Sequence, residues 1–330
     1  MSDMHLVLKF PNESLVVGGK STDTIKEHKE KYEAKNRLIW GQGSQKQSSG
    51  LAKPNRDRIK DQVSKDINTY TFFLANNKGN RELFVGKMIG VYDIGEIPKG
   101  SPLVQYIPSY YASDVGTSDD INNLFVDVTT FFKIDSKYLD NITLESNGKK
   151  IMSIKNPSSI FKVNLDDELK KLLEELLANP DTNFQYQVEQ EEVDEDVAVV
   201  DKPKGKPAKG SGRSSSTFKR DSKTSKTAIV TAKFKCELDG THKDFISRVT
   251  GKNYVEAHHL IPMEYQEDFR NSIDVEANIV SLCVGCHKKL HHASSSYIKP
   301  IIEDLYDDRI SRLNDCGIKI TKVELMDFYI

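Results

Sequence analysis

The chain of 330 residues contains one tryptophan and four cysteines, and neither sign of charge is in real excess: 47 Lys and Arg stand against 49 Asp and Glu, a formal charge of −2. Each shortage excludes something. Four cysteines are too few for a disulfide framework in a chain this long. Cys236, Cys283, Cys286 and Cys316 all fall in the last third, with Cys283 and Cys286 in a C-x-x-C pair, which reads as metal chemistry in a reducing compartment. The even charge balance means that global charge does not announce a nucleic-acid binder. No apolar run approaches the roughly 18 residues of a membrane span, and MSDMHLVLKF lacks a cationic start followed by a long apolar stretch, so a cytoplasmic location without membrane contact is expected. Hydrophobic residues at 37% and charged residues at 29% suit globular cores, and at about 150 residues per domain the length suggests two of them.

Composition shifts most sharply over 189–226. An acidic run, EQEEVDED, gives way to KPKGKPAKGSGRSSSTFKRDSKTSK, where Lys202 to Lys226 includes nine Lys and Arg against the single acid Asp221. So few apolar residues cannot offset chain entropy, which predicts a flexible linker. It reads either as a solvated tether or as a basic arm that grips phosphate in a salt-dependent way. Residues 1–188 before it predict one mixed α+β domain with a curved sheet or small barrel. Strand-like runs are HLVLKF (5–10), RLIWG (37–41), TYTFFLA (69–75), ELFVGKMIGVYD (82–93), LVQYI (103–107) and NLFVDVTTFFKI (123–134). Helices are predicted near Asp23–Lys35, Asn55–Ile67 and Leu165–Leu177. A second domain is predicted over 227–330. Within it, 228–330 carry 13 Lys and Arg against 16 Asp and Glu.

The chemistry concentrates between Cys236 and His292. Six of the eight histidines (His242, His258, His259, His287, His291, His292) and three of the four cysteines fall there. Cys283 and Cys286 form a knuckle suited to tetrahedral zinc, and Cys236 with His242 is the obvious pair to close the site, although C-x5-H is a wide spacing. Such a full site is structural and pins a unit with little core of its own. Cys316, downstream, reads as an ordinary buried thiol. His287 and His291 are four apart on helix-compatible sequence, so both imidazoles project from one face. Lys288 and Lys289 between them are candidate contacts to DNA. His258 and His259 are adjacent in a strand-like stretch, Tyr254–Pro262, so they face opposite sides. One can ligate a metal while the other points at solvent or substrate as a general base. Asn278 precedes the run Ile279–Leu282, where its amide is placed to bridge backbone groups.

Strand, loop, strand, helix with HH, N and H-x3-H in that order resembles the HNH, or ββα-metal, nucleases over about residues 228–295. The flanks HHLIP, ANIVSLC and CH agree with it. The histidine spacing resembles colicin-type DNases, and the C-x-x-C knuckle resembles zinc-stapled restriction and phage enzymes. The resemblance implies His258, His287 and His291 as ligands of a catalytic divalent ion, His259 as general base and Asn278 as positioning amide. MEYQEDFRNSID stands where relatives often carry a Gly-Gly loop. The reaction implied is phosphodiester hydrolysis on double-stranded DNA. Mg²⁺ prefers oxygen ligands, so a histidine-rich site suits Mn²⁺, Ni²⁺ or Zn²⁺ equally. Beyond the motif, a helix is predicted from Pro300 to Leu313 and a strand over KITKVELMDFYI, both for core packing or for a dimerising or DNA-facing surface.

The order RLIWG, TYTFFLA, ELFVGKMIGVYD, FVDVTTFFKI is similar to the PUA-like superfamily, which includes EVE, YTH and SRA modules. That similarity implies a reader of modified bases fused to a nuclease: a modification-dependent restriction enzyme acting in phage defence. An extruded base needs flat side chains to stack on. Trp40 is the first candidate because the polar loop GQGSQKQSSG follows it, and Tyr70, Tyr106, Tyr110 and Tyr111 come next, each with core burial as the competing reading. The alternatives are a restriction enzyme reading an unmodified sequence, a non-catalytic zinc DNA-binding module and a secreted toxin DNase.

Overall fold

The computed structural model describes residues 3–15, 21–43, 50–77, 79–151, 158–207 and 218–329. Chain contacts divide the described residues into two units, one within 3–175 and the other within 176–207 and 218–329.

In the first unit the strands are β1 (His5–Pro11), β2 (Glu13–Leu15), β3 (Ser21–Asp23), β4 (Leu38–Gly43), β5 (Tyr70–Asn77), β6 (Asn80–Asp93), β7 (Asn122–Val128), β8 (Phe132–Ile134), β9 (Ile142–Leu144) and β10 (Ile160–Leu165). The helices are α1 (Thr24–Lys35), α2 (Lys53–Ser64), α3 (Ser109–Ala112) and α4 (Asp167–Ala178). The main sheet runs β4-β7-β6-β5-β1-β10-β9, with β8 also on β6. β1 and β5 are parallel and the other pairs antiparallel. The sheet is open, so the small-barrel expectation is not met. β6 changes partner along its length: it pairs β5 over residues 80–87, and its pairing with β7 begins at Met88 and shifts register between Met88 and Gly90.

Alternation along β4 decides what is inside. Leu38 and Trp40 enter an aromatic core with Phe10, Phe73, Phe84 and Phe131, while Ile39 joins Ile97, Ile107, Val115 and Phe125 on the other face. Both faces of β7 are therefore covered, and Asp127, fully buried, needs partners. Arg37 supplies two hydrogen bonds, at 2.8 Å and 2.5 Å, and the Tyr92 hydroxyl donates a third at 3.1 Å.

Two predicted elements of this unit differ. LVQYI is a 3-10 turn, Pro102–Tyr106, because Ser101 caps it and Pro102 occupies its first position. NLFVDVTTFFKI breaks after Val128 into β7 and β8.

The second unit holds α5 (Pro180–Gln190), α6 (Ser222–Thr231), β11 (Glu256–His259), β12 (Ile279–Leu282), α7 (Val284–His292), α8 (Ser295–Asp315) and α9 (Lys322–Asp327). β11 and β12 form an antiparallel hairpin that pairs His258 with Val280 and His259 with Ile279. Val255, Ala257 and Ile279 pack with Phe184 and Val188 of α5 and Ala228 and Ile229 of α6. A separate core joins Leu260, Ile261, Val280 and Leu282 to Leu290 of α7 and to Ile302, Leu305 and Leu313 of α8. Among the described residues no helix is long and apolar enough to cross a membrane.

The predicted flexible span 189–226 is corrected at both ends. α5 continues to Gln190, and Ser222–Lys226 open α6 with Thr224, Ser225 and Lys226 buried. Asp221 provides the cap, accepting from Lys223 N at 2.8 Å, so the acid that looked incidental in a basic run starts a helix. Residues 208–217 of that span lie outside the described residues. The predicted C-terminal strand is α9: Thr321 and Glu324 form a reciprocal capping box. α8 starts at Ser295, five residues before Pro300. Ser296, whose carbonyl loses its helical donor to the proline, is exposed, so that carbonyl is not stranded in a core.

Candidate metal centres

The hairpin and α7 bring His258, His287 and His291 together, with one ring nitrogen from each within 4.8 Å of the others. Ring centroids lie 5.0 Å, 5.0 Å and 4.9 Å apart in a near-equilateral triangle. His258 comes from the α7-facing side of β11, and the other two from successive turns of α7. Second partners orient two of the rings. Glu256, two residues before His258 and hence on the same side of the strand, accepts at 2.6 Å from His287 Nδ1. That turns His287 Nε2 toward His291 Nε2, 3.1 Å away. The Tyr329 hydroxyl donates to the Leu260 carbonyl at 2.7 Å, so its oxygen receives His258 Nε2–H at 2.9 Å and leaves His258 Nδ1 bearing a lone pair.

Electrostatics keep the cluster ready to coordinate. Burial holds His258 well below the ordinary imidazole range, and the neighbouring rings of His287 and His291 push the same way. His291 is lowered by desolvation and by His287. Burial would raise Glu256, but the hydrogen bond and charge of His287, with the Tyr254 hydroxyl and Lys288, together outweigh it and keep the carboxylate ionised. Burial pushes the Tyr329 phenol up, so it stays a donor. His258 is buried and His291 exposed. Three nitrogens on a site open at one side is the donor set of a reactive rather than a sealed metal position.

The second cluster is closed. Cys236, His242, Cys283 and Cys286 place one ligand atom each within 4.8 Å, with His242 Nδ1 3.6 Å from Cys283 Sγ and 3.4 Å from Cys286 Sγ. His242 Nε2 faces Asp239 at 3.3 Å, which fixes the ring for coordination through Nδ1. Burial disfavours the Cys236 thiolate, but hydrogen bonds from the Cys283 and Asp239 backbone and from His242 bring its pKa down to about 7. Burial and the neighbouring sulfurs push Cys286 up to about 12. Three thiols crowded this closely fit a cation that draws off their protons. Cys316 is buried apart from the cluster.

Asn278 is fully buried and clamps the hairpin. Its oxygen accepts from Ile261 N at 2.8 Å, and its amide donates to Ile261 O at 3.0 Å and Ile273 O at 2.9 Å.

His259 departs from expectation. It does not face solvent: it is 7% exposed, on the side of β11 covered by α5 and α6, and its Nε2 lies 2.8 Å from Asp274 Oδ1. Strand alternation placed it opposite His258, as predicted, and the helices then buried that side. Asp274 also accepts from Asp221 N at 2.6 Å. Lys288 and Lys289 are exposed on α7, and His292 is exposed outside both clusters.

In the first unit, Trp40 and Tyr70 are corrected as base-stacking candidates, since each is 2% exposed. Trp40 stacks on His28 at 3.6 Å between Phe10 and Phe73, both at 4.6 Å, and Tyr70 stacks on His5 at 5.5 Å. The parity of β4 turns Trp40 inward whatever follows it, and residues 44–49 of the loop that suggested otherwise lie outside the described residues. Tyr106, Tyr110 and Tyr111 are half-buried. The Arg37 guanidinium lies 4.5 Å from the Tyr106 ring centroid. The Tyr111 hydroxyl accepts from Gly41 N at 2.8 Å, where any Cβ on Gly41 would come within 2.9 Å of that ring.

Sequence reasoning missed Glu256, Asp239, Asp274 and Tyr329. Glu256 carried a signal, being two residues from His258 in a strand, and so did Asp239, three residues before His242. Asp274 and Tyr329 became partners only through folding.

No protein-family model and no curated protein sequence matches the chain. Among solved structures it is similar to one described as "Structure of the Type IV phosphorothioation-dependent restriction endonuclease ScoMcrA", with TM-score 0.25 and 10% identity, over 95% of this chain and 51% of that one. The chain thus spans about half the length of that protein, and a likeness this faint carries no argument about activity.

Proposed function

We propose that the second unit is an HNH-type, metal-dependent DNA endonuclease. The observation that carries this is the coexistence of an open three-histidine cluster on one hairpin and helix with a closed Cys3His cluster at the start of that helix. The donor sets fit two different tasks. Zinc in the closed site would staple Cys236 and His242 to the start of α7. A divalent cation held by His258, His287 and His291 would supply Lewis-acid stabilisation of charge on phosphodiester oxygens.

The residues around it divide the remaining work. Asp274 accepts from His259 Nε2–H, so His259 Nδ1 is the nitrogen that takes a proton from the attacking water. The resulting imidazolium is stabilised by the same carboxylate. Asn278 keeps the strand bearing His258 and His259 in register with the loop that carries Asp274. Lys288 and Lys289 extend the cationic surface along α7 toward the DNA backbone.

The first unit would select the DNA, with Tyr106, Tyr110 and Tyr111 as the aromatic candidates still partly accessible. A modified-base reader makes the whole chain a modification-dependent restriction enzyme.

A nicking assay of the full chain with and without Mg²⁺, Mn²⁺, Ni²⁺ or Zn²⁺ tests the nuclease. Cutting should require metal and vanish in His259→Ala, with folding and DNA binding retained. Wild-type cutting by that variant would refute the base assignment, and absence of cutting under every metal would favour a non-catalytic zinc module. Digesting DNA that contains plain, methylated or hydroxymethylated cytosine tests the reader: equal cutting of all three would favour an enzyme blind to modification.

A further inference from the structure

We propose that Arg220 is a phosphate-binding residue for the DNA backbone, and that Asp181 occupies its guanidinium until a backbone phosphate displaces it. This rests on the nuclease reading and adds to it a recognition residue from the basic run that no site residue had yet absorbed.

The geometry around Arg220 is built rather than incidental. Its guanidinium carbon lies 4.1 Å from the Phe184 ring centroid, so the cation sits over an aromatic face. The Phe184 ring in turn lies 6.4 Å from His259. The next residue, Asp221, donates its backbone N–H at 2.6 Å to Asp274 Oδ2, and the other oxygen of that carboxylate holds His259 at 2.8 Å. Arg220 is thus one peptide away from the carboxylate that orients the proposed base.

The partner of Arg220 suits displacement. Arg220 Nη2 and Asp181 Oδ1 are 2.8 Å apart, with the aspartate side chain 80% exposed and the arginine side chain 28% exposed. An exposed ion pair of this kind contributes little and exchanges readily. A phosphodiester presents two non-bridging oxygens that accept bidentately from a guanidinium, as the two oxygens of a carboxylate do. Asp221 does not compete, because its side chain caps α6. The unit is acidic overall, so a cation held beside the catalytic histidines has a task that net charge does not perform.

The test is fluorescence anisotropy with an end-labelled duplex and the full chain carrying His259→Ala, so that binding is read without cutting. Arg220→Gln, which keeps a planar group on Phe184, should weaken binding about 10-fold and reduce the slope of log affinity against log salt by about 0.9. Asp181→Asn, at an exposed position that folding tolerates, should tighten binding about 3-fold. Opposite signs are the signature. If the pair merely ties α5 to α6, both variants shift the same way or neither shifts, and the proposal is overturned while the nuclease reading stands. If the parent chain shows no salt-dependent DNA binding, both fall together.

Discussion

The Tyr329 hydroxyl accepts the proton of His258 Nε2 at 2.9 Å while donating to the Leu260 carbonyl at 2.7 Å. Two residues 71 positions apart thereby settle which nitrogen of His258 faces the triad.

Tyr329→Phe removes that constraint and keeps the ring. Metal affinity at the triad should fall about 10-fold, within the usual range for an outer partner of a ligating histidine. Isothermal titration with Mn²⁺ or Ni²⁺ reads it. An unchanged affinity would show that the tautomer is set elsewhere.

The closed cluster should retain about one zinc per chain after dialysis against a weak chelator, measured by elemental analysis. Cys283→Ser should lose it and lower the thermal midpoint of the second unit. Cys316→Ser should keep the zinc, since that thiol lies outside the cluster.

Asn278→Ala should destabilise the second unit by about 3 kcal/mol, because three backbone groups lose their partner in a fully buried site. Urea unfolding measures this. Asn278→Asp, able to accept but not to donate, should recover only the hydrogen bond from Ile261 N.

Acid should weaken the first unit. Burial drives both His28 and His5 from 6.5 to about 3. The unfolded chain therefore binds protons that the folded one refuses as pH falls below 6.5, and stability declines through that window toward about pH 3. By about pH 5 each contributes roughly 2 kcal/mol of loss. His28→Phe, which preserves stacking on Trp40, should show a shallower loss between neutral pH and about pH 5. An identical slope in the variant would assign the acid sensitivity to other groups.

Local pattern made much of the site legible. Strand alternation separated His258 from His259, and helical spacing paired His287 with His291. The capping box that makes α9 a helix was also written locally, in Thr321 and Glu324, but the alternating apolar residues beside it read as a strand. Trp40 shows the limit from the other direction: its inward parity follows from β4, yet the polar loop beside it suggested exposure.

What the amino-acid order determined by itself is the inventory of ligands and the faces on which neighbours project, since periodicity acts over a few residues. Folding alone decided that Asp274 meets His259, that Tyr329 meets His258, and that a basic run closes against the hairpin as α6. Those partners lie 15 to 71 residues apart along the chain, and no local spacing encodes a contact that exists only once two separate cores have packed.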